Sequence, residues 1–426
     1  MSKRVILLVM AILTAVPSWC DIVDEPLSEY TDSVSNVVYS YNPEGTTAVV
    51  KARNYYEDVG ARLSDITGYA LNDYGVYGDI SILDRFVVKG KEYKVTKIGK
   101  GAFYCNSRIT SVTIPETVES IETDAFGLCT ALKTVVLPST LRDIGGAAFG
   151  RCTSLVEITI PEGITTIGSS SFSDCWNLKS IHIPASVTSI GYAAFCGCKG
   201  LSAITVDEAN TIYDSRDECN AIIESNTSQL VFGCKTTTIP SSVIAIGSNA
   251  FRGQGISSIV IPGSVKDIGD YAFEMCSNLS EVILCDGIKF IGNQAFNNTA
   301  IVQLTIPPSV NGIGEYAFGG TKLTAITSLI IEPFEVNRIC DFDVVKPMLY
   351  VPKGCKEKYE ATNGWMQFKK IEEMETMGIC DAPRLNDKGK MINDKRGGVY
   401  DLQGRRLTLK PENGVYIENG RKRVVK

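Results

Sequence analysis

Five cysteines stand at a fixed place in a repeated pattern, and they are the residues whose type and spacing could do chemistry. Each follows a recurring phenylalanine by three residues; the five are Cys129, Cys152, Cys175, Cys198 and Cys276. A zinc site needs ligands that converge on one point, whereas an even period places these thiols in a row. Because Asn, Gln or Thr takes the same place in other copies of the pattern, we predict free buried thiols that meet backbone groups at a turn.

Two further cysteines, Cys219 and Cys234, flank a predicted hairpin. If its turn is centred between Asn226 and Thr227, the numbers of facing residues add up to 453, and Cys219 then lies opposite Cys234. Secretion would favour a disulfide between them. In the repeated row, by contrast, the Cβ directions are parallel, which disfavours disulfides.

The single histidine, His182, lies between Ile181 and Ile183 and is predicted to point outward from a strand. One histidine excludes most metal sites and catalytic triads. The sequence also lacks the HExxH, phosphate-loop and dinucleotide motifs. We therefore predict a protein that is not an enzyme, with no catalytic residue, no metal and no cofactor.

The elements that must position these residues recur every 22 or 23 residues. Three successive copies read LKTVVLPSTLRDIGGAAFGRC, LVEITIPEGITTIGSSSFSDC and LKSIHIPASVTSIGYAAFCGC. The phenylalanines that mark the period are Phe103, Phe126, Phe149, Phe172, Phe195, Phe251, Phe273, Phe296 and Phe318. This period, with Leu and Ile at L-x-x-L-x-L spacing, predicts a leucine-rich-repeat solenoid of stacked short β-strands joined by turns or short helices.

Each copy can be interpreted as one coil. In the second, Ile158 and Ile160 alternate along a short strand that Pro161 ends, because proline has no N–H for the ladder. Gly168 suits a turn that needs a positive φ. Phe172 then fills the far side of the coil, and neighbouring coils must stack to bury these apolar faces.

The consensus L-x-x-I-x-I-P-x-x-V-x-x-I-G-x-x-A-F resembles the BspA-like leucine-rich repeat of bacterial surface proteins. The resemblance covers about Val95 to Ile331, and the segments on either side extend it. It implies a solenoid fold and a function in adhesion to host proteins or to other bacteria. It does not specify a ligand.

The sequence divides into six parts. We predict a signal peptide at 1–20, a β-rich N-terminal cap at 21–94, the solenoid at 95–332 with a variant coil at about 207–238, a C-terminal cap at 333–375, a linker at 376–393 and a short basic β-hairpin tail at 394–426. The tail resembles a shortened version of C-terminal sorting tails. The net charge of −6 disfavours nucleic acid as a partner.

The first 20 residues are typical of a secretion leader. Lys3 and Arg4 precede the apolar run from Val5 to Val16, which is too short to span a bilayer. Cleavage is predicted before Asp21. The alternative is a lipoprotein with a modified Cys20, which the bulky Trp19 disfavours. The remaining chain has no apolar run long enough for a spanning helix.

The outward positions of the predicted strands form a strip of small, mostly uncharged residues. The candidate binding residues are Ser111, Thr113, Thr134, Val136, Glu157, Thr159, Ser180, His182, Ser258, Val260, Glu281, Ile283, Gln303 and Thr305. Solenoids use such open sheets as binding surfaces, although Ser and Thr are also ordinary solvated strand residues. Val260 and Ile283 are apolar neighbours and the best candidates for a contact patch.

These observations predict a secreted or surface-displayed binding protein of the adhesin type. Its partner would be a protein or glycan on a host or bacterial surface, with affinity from many weak contacts along the strip. A self-associating matrix protein and a carbohydrate-binding accessory protein are the alternatives. The strip has no Trp, Tyr or Phe, which counts against carbohydrate.

Overall fold

The computed structural model describes residues 28–32, 37–50, 76–343 and 346–374, and the backbone of strands at 399–400, 406–407, 414–418 and 421–425. The predicted signal peptide and linker lie outside these residues.

The described chain is a solenoid built almost entirely of short strands. In chain order these are β1 (Ser28–Thr31), β2 (Val38–Tyr41), β3 (Thr47–Val50), β4 (Gly78–Ser81), β5 (Arg85–Val88), β6 (Lys91–Ile98), β7 (Ile109–Thr113), β8 (Ser120–Ile121), β9 (Thr134–Val136), β10 (Asp143–Ile144), β11 (Thr166–Ile167), β12 (Ser180–Ile183), β13 (Ser189–Ile190), β14 (Ala203–Val206), β15 (Tyr213–Asp214), β16 (Ala221–Glu224), β17 (Gln229–Gly233), β18 (Ala245–Ile246), β19 (Ser258–Ile261), β20 (Asp267–Ile268), β21 (Glu281–Leu284), β22 (Phe290–Ile291), β23 (Gln303–Ile306), β24 (Gly312–Ile313), β25 (Ala325–Ser328), β26 (Met348–Val351), β27 (Lys370–Glu373), β28 (Val399–Tyr400), β29 (Arg406–Leu407), β30 (Gly414–Glu418) and β31 (Arg421–Val425). Within the described residues the helical elements are α1 (Lys356–Ala361) and two 3-10 turns at Arg216–Glu218 and Trp365–Gln367.

Most regular coils contribute to two rows of parallel strands. The longer strands, such as β7, β9, β12 and β14, form the open face that the consensus predicted. The two-residue strands on the opposite side join one another through β8, β10, β11 and β13, and again through β18, β20, β22 and β24. The predicted solenoid fold and its repeat are therefore confirmed.

The N-terminal segment enters the stack directly. The antiparallel strands β1, β2 and β3 lead to β6, and β5 forms a hairpin with β6 through Lys89 and Gly90, both with positive φ. β4 pairs in parallel with β7, and the end of β6 pairs with β8. The segment thus covers the first coil and supplies a strand to each row.

The phenylalanines form two stacks inside the coils. From Phe103 to Phe195 the centroids of successive rings are 5.0–5.5 Å apart, and the ring planes are nearly parallel. The second stack runs from Phe251 to Phe318. Between the stacks, Phe232 of the variant coil meets Phe195 edge-on at 5.6 Å and 88°. The buried core accordingly forms two clusters that adjoin at the variant coil.

The repeated glycine is not required for a positive φ, as was predicted, but for another reason. The φ of Gly168 is not positive; instead, a Cβ there would lie 2.5 Å from the backbone carbon of Gly145 in the preceding coil. Glycine is needed because two backbones approach closely. The left-handed residues are Ser170 and Asp174, with φ of 55° and 56°, two positions on either side of Phe172.

The row of thiols is present, and all five are free and buried. The Sγ of Cys129, Cys152 and Cys175 lies 3.1–3.2 Å from the carbonyl oxygen of the phenylalanine in the preceding coil, and it donates there. Cys198 and Cys276 make the same contact at 3.1 and 2.9 Å. These bonds connect each coil to its neighbour and confirm the prediction of thiols that meet backbone groups.

The Cys219–Cys234 disulfide is not formed in the structure. The hairpin of β16 and β17 is present, but its register shifts by one residue between Ile222 and Ile223. Beyond this bulge the facing numbers add up to 454, so Cys219 no longer lies opposite Cys234. The Cys234 thiol donates to the carbonyl of Asn220 at 3.4 Å. Both cysteines are free, which corrects the prediction.

The buried thiols predict a loss of stability in alkali. Burial raises the pKa of the thiols of Cys152 and Cys175 well above the ordinary value. A raised folded-state pKa means that above about pH 9 the unfolded chain binds fewer protons, so the free energy of unfolding falls as the pH rises, by about 1.4 kcal/mol per thiol per pH unit.

Urea denaturation between pH 8 and pH 10 tests this expectation. The matched variant is Cys152→Ser/Cys175→Ser, which keeps two hydrogen-bond donors that do not ionise in this range. The wild type should lose more stability than the variant over this interval. An equal loss of unfolding free energy in the two proteins between pH 8 and pH 10 would contradict the assigned burial of the thiols.

The C-terminal strands form a separate four-stranded sheet in the order β29-β28-β30-β31. Glu418 of β30 pairs with Arg421 of β31. These two strands pair antiparallel and lie within the segment predicted as a β-hairpin tail.

Candidate binding surface

All fourteen predicted residues point away from the core. Along β12 the burial alternates, with Ser180 and His182 exposed and Ile181 and Ile183 buried, and the other strands repeat this alternation. His182 is exposed, and its Nδ1 lies 2.9 Å from the hydroxyl of Thr205 in the next coil.

The structure does not join the fourteen residues into one continuous sheet. The open face consists of four ladders, which are β4-β7-β9, β12-β14, β19-β21 and β23-β25-β26-β27. Residues 157–160 form no strand, and no backbone hydrogen bond links them to either neighbouring coil. Glu157 and Thr159 are exposed as predicted, but the strand expected around Ile158 is absent. The variant coil separates β14 from β19.

The apolar pair is brought together as predicted. Val260 of β19 and Ile283 of β21 are directly paired in parallel register, and both are partly exposed. Their neighbours in the same two strands are Ser258 and Glu281, which also face each other. This is an uncharged contact area of two branched side chains bordered by polar groups.

At its N-terminal end the face is acidic. Asp79 of β4 accepts hydrogen bonds from the hydroxyls of Ser111 at 2.6 Å and Thr110 at 2.8 Å, and these bonds lower the pKa of its carboxyl group. Asp79 is therefore ionised at neutral pH. The hydroxyls of Thr110 and Ser111 are therefore occupied by this carboxylate.

The structure adds residues that the repeat alignment missed. The face continues beyond Thr305 into the segment predicted as the C-terminal cap, where Met348 and Tyr350 of β26 point outward in register with Ala325 and Thr327. The absence of aromatic residues therefore holds for the predicted strip but not for the whole face. These residues follow an irregular segment, so no period marked them.

A second missed residue is Trp176. It lies in the chain between the loop that carries Phe172 and the next strand of the open face, β12. It is 49% exposed, and the Lys199 ammonium sits 5.2 Å from the centre of its ring. Other coils have Ser, Thr, Lys, Gly or Ala at this position. A tryptophan in a column of small or charged residues was the signal that could have identified it.

The described residues show neither a group of three His, Cys, Asp or Glu side chains suited to a metal ion nor a helix that is long and apolar enough to cross a membrane.

Comparisons with known proteins agree with this architecture. The BspA type leucine-rich repeat region matches residues 96–219 and 220–328, in six copies. The structure of the pneumococcal vaccine antigen PcpA is 18% identical, has a TM-score of 0.54, and aligns over 82% of this chain and 99% of its own. A leucine-rich repeat protein of Bacteroides ovatus is 21% identical, with a TM-score of 0.47 and 83% and 76% coverage.

The pneumococcal antigen is similar in fold, and the match to the repeat family covers more than half of the chain. No curated protein sequence matches the chain significantly. The repeated block, its stacked coils and the family match together identify the chain as a member of the BspA-type leucine-rich repeat family.

Proposed function

We propose that this protein is a secreted or surface-displayed binding protein that recognises protein ligands on host or bacterial surfaces through its open strand face. The observation that carries the proposal is the paired, partly exposed Val260 and Ile283 on β19 and β21. Completing the burial of two branched aliphatic side chains contributes roughly 1–3 kcal/mol at an interface. The hydroxyl of Ser258 and the carboxylate of Glu281 beside them can make hydrogen bonds to a ligand at the border of this contact area.

The proposed location has two supports. The charged and apolar pattern of the first 20 residues is that of a secretion leader with cleavage before Asp21. The pneumococcal protein of similar fold is named a vaccine antigen, and an antigen of that kind is in keeping with an exposed protein.

Self-association is a second candidate, favoured by the end of the solenoid. In the described part of the chain β27 pairs with β26 alone, so its other edge presents unpaired backbone groups. Such an edge can accept a strand from another copy. Sedimentation velocity over a range of concentrations tests this role, which requires a size that increases with concentration.

The binding proposal is tested on an array of extracellular-matrix proteins and glycans. We expect the wild type to bind at least one protein component, and Val260→Glu/Ile283→Glu to bind it at least tenfold more weakly, because two buried carboxylates would lack partners. The matched control is Ile244→Glu/Met275→Glu, which makes the same changes at exposed apolar residues away from the open face.

Circular dichroism should show the same fold for all three proteins. The control should bind like the wild type. Equal binding by the Val260→Glu/Ile283→Glu variant, or no binding by the wild type to any protein component, would contradict the proposal.

A further inference from the structure

We propose that the protein has a second contact surface, centred on Trp176, that binds an acidic segment of a partner protein. This surface, the Trp176 patch, consists of Lys133, Val156, Trp176, Lys179 and Lys199. The inference deepens the proposed function, since it names a kind of partner, but it concerns a different border of the solenoid from Val260 and Ile283.

Backbone hydrogen bonds bring the patch together from four coils. The amide of Val156 donates to the carbonyl of Lys133 at 3.2 Å, and the amide of Lys179 donates to the carbonyl of Val156 at 3.0 Å. These three residues therefore form one row across adjacent coils. Trp176 is three residues before Lys179 in the same coil, and its ring contacts Lys199 of the next coil.

The local structure holds the indole ring in place at the surface. The amide of Trp176 donates to the carbonyl of Asp174 at 3.0 Å, and the adjacent Asn177 side chain donates to the carbonyl of Thr153 in the preceding coil at 2.7 Å. The backbone on both sides of Trp176 is thus tied down. A fixed aromatic side chain loses little conformational entropy when a partner covers it.

The apolar part of the patch is unusually exposed. Trp176 is 49% exposed and Val156 is 41% exposed, and Val136, three positions along the chain from Lys133, is 59% exposed. The other described tryptophan, Trp365, is completely buried in the C-terminal cap. Tryptophan is among the residue types enriched at interface hot spots, and the exposed valines of the preceding coils add apolar surface to the same area of the solenoid.

The charges around the tryptophan specify an acidic partner. Lys133, Lys179 and Lys199 are exposed, and in the described chain none has a carboxylate within the 4.0 Å of an ion pair. The nearby Asp174 is paired with Arg151 at 3.7 Å. With Glu157 and with Asp79, whose carboxylate interacts with Lys133, the area carries four cations and three carboxylates, on a chain whose net charge is −6. A partner with carboxylates complements this patch and is repelled elsewhere.

The same contacts favour a protein over a glycan. A sugar stacks on an open aromatic face, but one side of the Trp176 ring is covered by the Lys199 ammonium. The row beside it presents a valine between two lysines, which offers an acidic peptide an apolar contact flanked by cations. An extended peptide with one apolar side chain against Trp176 and Val156, and carboxylates against the lysines, satisfies both parts of the patch.

The test is selection of a random 12-residue phage-displayed peptide library on the full chain, with counter-selection on Trp176→Ala. The selected peptides are then synthesised and titrated in solution. We expect peptides enriched in Asp and Glu around an apolar residue. They should bind Trp176→Ala and Lys199→Glu at least tenfold more weakly, bind more weakly at higher salt, and protect Trp176 from acrylamide quenching, measured as the difference between wild type and Trp176→Phe.

The matched control is Lys322→Glu. Lys322 is exposed and occupies the same position of its coil as Lys199, far along the solenoid and without a neighbouring tryptophan. This variant should bind the peptides like the wild type. Selected peptides that are not acidic, or that bind Trp176→Ala unchanged, would overturn the inference. Protection of Trp176 by heparin and not by peptides would also overturn it, in favour of an anionic glycan.

The array experiment on the same variants separates this inference from the proposed function. Loss of array binding in Val260→Glu/Ile283→Glu without any Trp176-dependent peptide would leave the proposed function standing and refute the Trp176 patch. If the protein binds nothing on the array but selects acidic peptides whose binding depends on Trp176, the proposed function is refuted and the Trp176 patch stands.

Discussion

Replacing Phe172 with alanine should lower the free energy of unfolding by about 3–5 kcal/mol. Phe172 is completely buried in the middle of the first stack, with its ring centroid 5.5 Å from those of both Phe149 and Phe195. Its removal leaves a cavity that the neighbouring coils cannot close, because their backbones are fixed to each other by hydrogen bonds such as that from the Phe172 amide to the Ala194 carbonyl. The midpoint of urea denaturation should fall accordingly.

Phe290→Ala provides the control for Phe172→Ala. Phe290 is 40% exposed and lies over Gly312 at the surface of the short-strand row. The same change in side-chain volume should therefore cost much less there. A loss below about 1 kcal/mol for Phe172→Ala would mean that the coils adjust to the cavity, and that the phenylalanine stack is not the main contact between them.

A single methyl group at Gly145 should destabilise the protein by about 3 kcal/mol, the upper end for an overpacked core. A Cβ at this position would lie 2.6 Å from the backbone carbon of Glu122 and 2.7 Å from the amide nitrogen of Thr123. Both atoms belong to the backbone of the preceding coil, so no side-chain rotation relieves the overlap. The coils must separate there, at the point where the Gly145 amide bonds to the Ile121 carbonyl at 2.8 Å.

The adjacent glycine makes a sharp control. A Cβ at Gly146 would meet nothing closer than the Ser169 carbonyl oxygen at 3.4 Å, and its φ is not in the left-handed region. Gly146→Ala should therefore be neutral or should stabilise the protein by about 0.5 kcal/mol, because alanine restricts the unfolded chain. Thermal unfolding of both variants tests the pair, and similar effects would refute close approach as the reason for the repeated glycine.

The division of the core into two clusters limits the region that the Phe172 and Gly145 substitutions affect. Phe172 and Gly145 lie in the N-terminal half of the solenoid, and the core changes at the variant coil from one cluster to the other. At that coil the parallel stack ends, because Phe195 contacts Phe232 edge-on. Gly233 has no side chain there and leaves room for the ring of Phe251, which begins the second stack. Contacts between coils are otherwise nearest-neighbour. Both substitutions should therefore act mainly on the N-terminal half.

The repeat determined most of the fold from sequence alone. Residues that recur at one place in the coil meet their equivalents in the next coil, so the period specified the stacking of Phe172 and the row that includes Cys175. It also specified which strand residues point outward, because alternation along a strand is a local property. Period and alternation together are enough to predict that Val260 lies beside Ile283.

Tertiary structure decided the places where local rules compete with contacts between coils. The bulge in β16 and β17 moved Cys219 out of register with Cys234, and a bulge has no signature in the numbers of facing residues. The break at Glu157 follows a normal consensus, so its sequence could not reveal it. Gly168 was predicted to adopt a positive φ because of its residue type. Glycine is needed there because a second backbone approaches closely, and only the stacked coils create that approach. The exposure of Trp176 was likewise settled by the coils on either side, because burial depends on what a neighbouring segment covers and not on the residue alone.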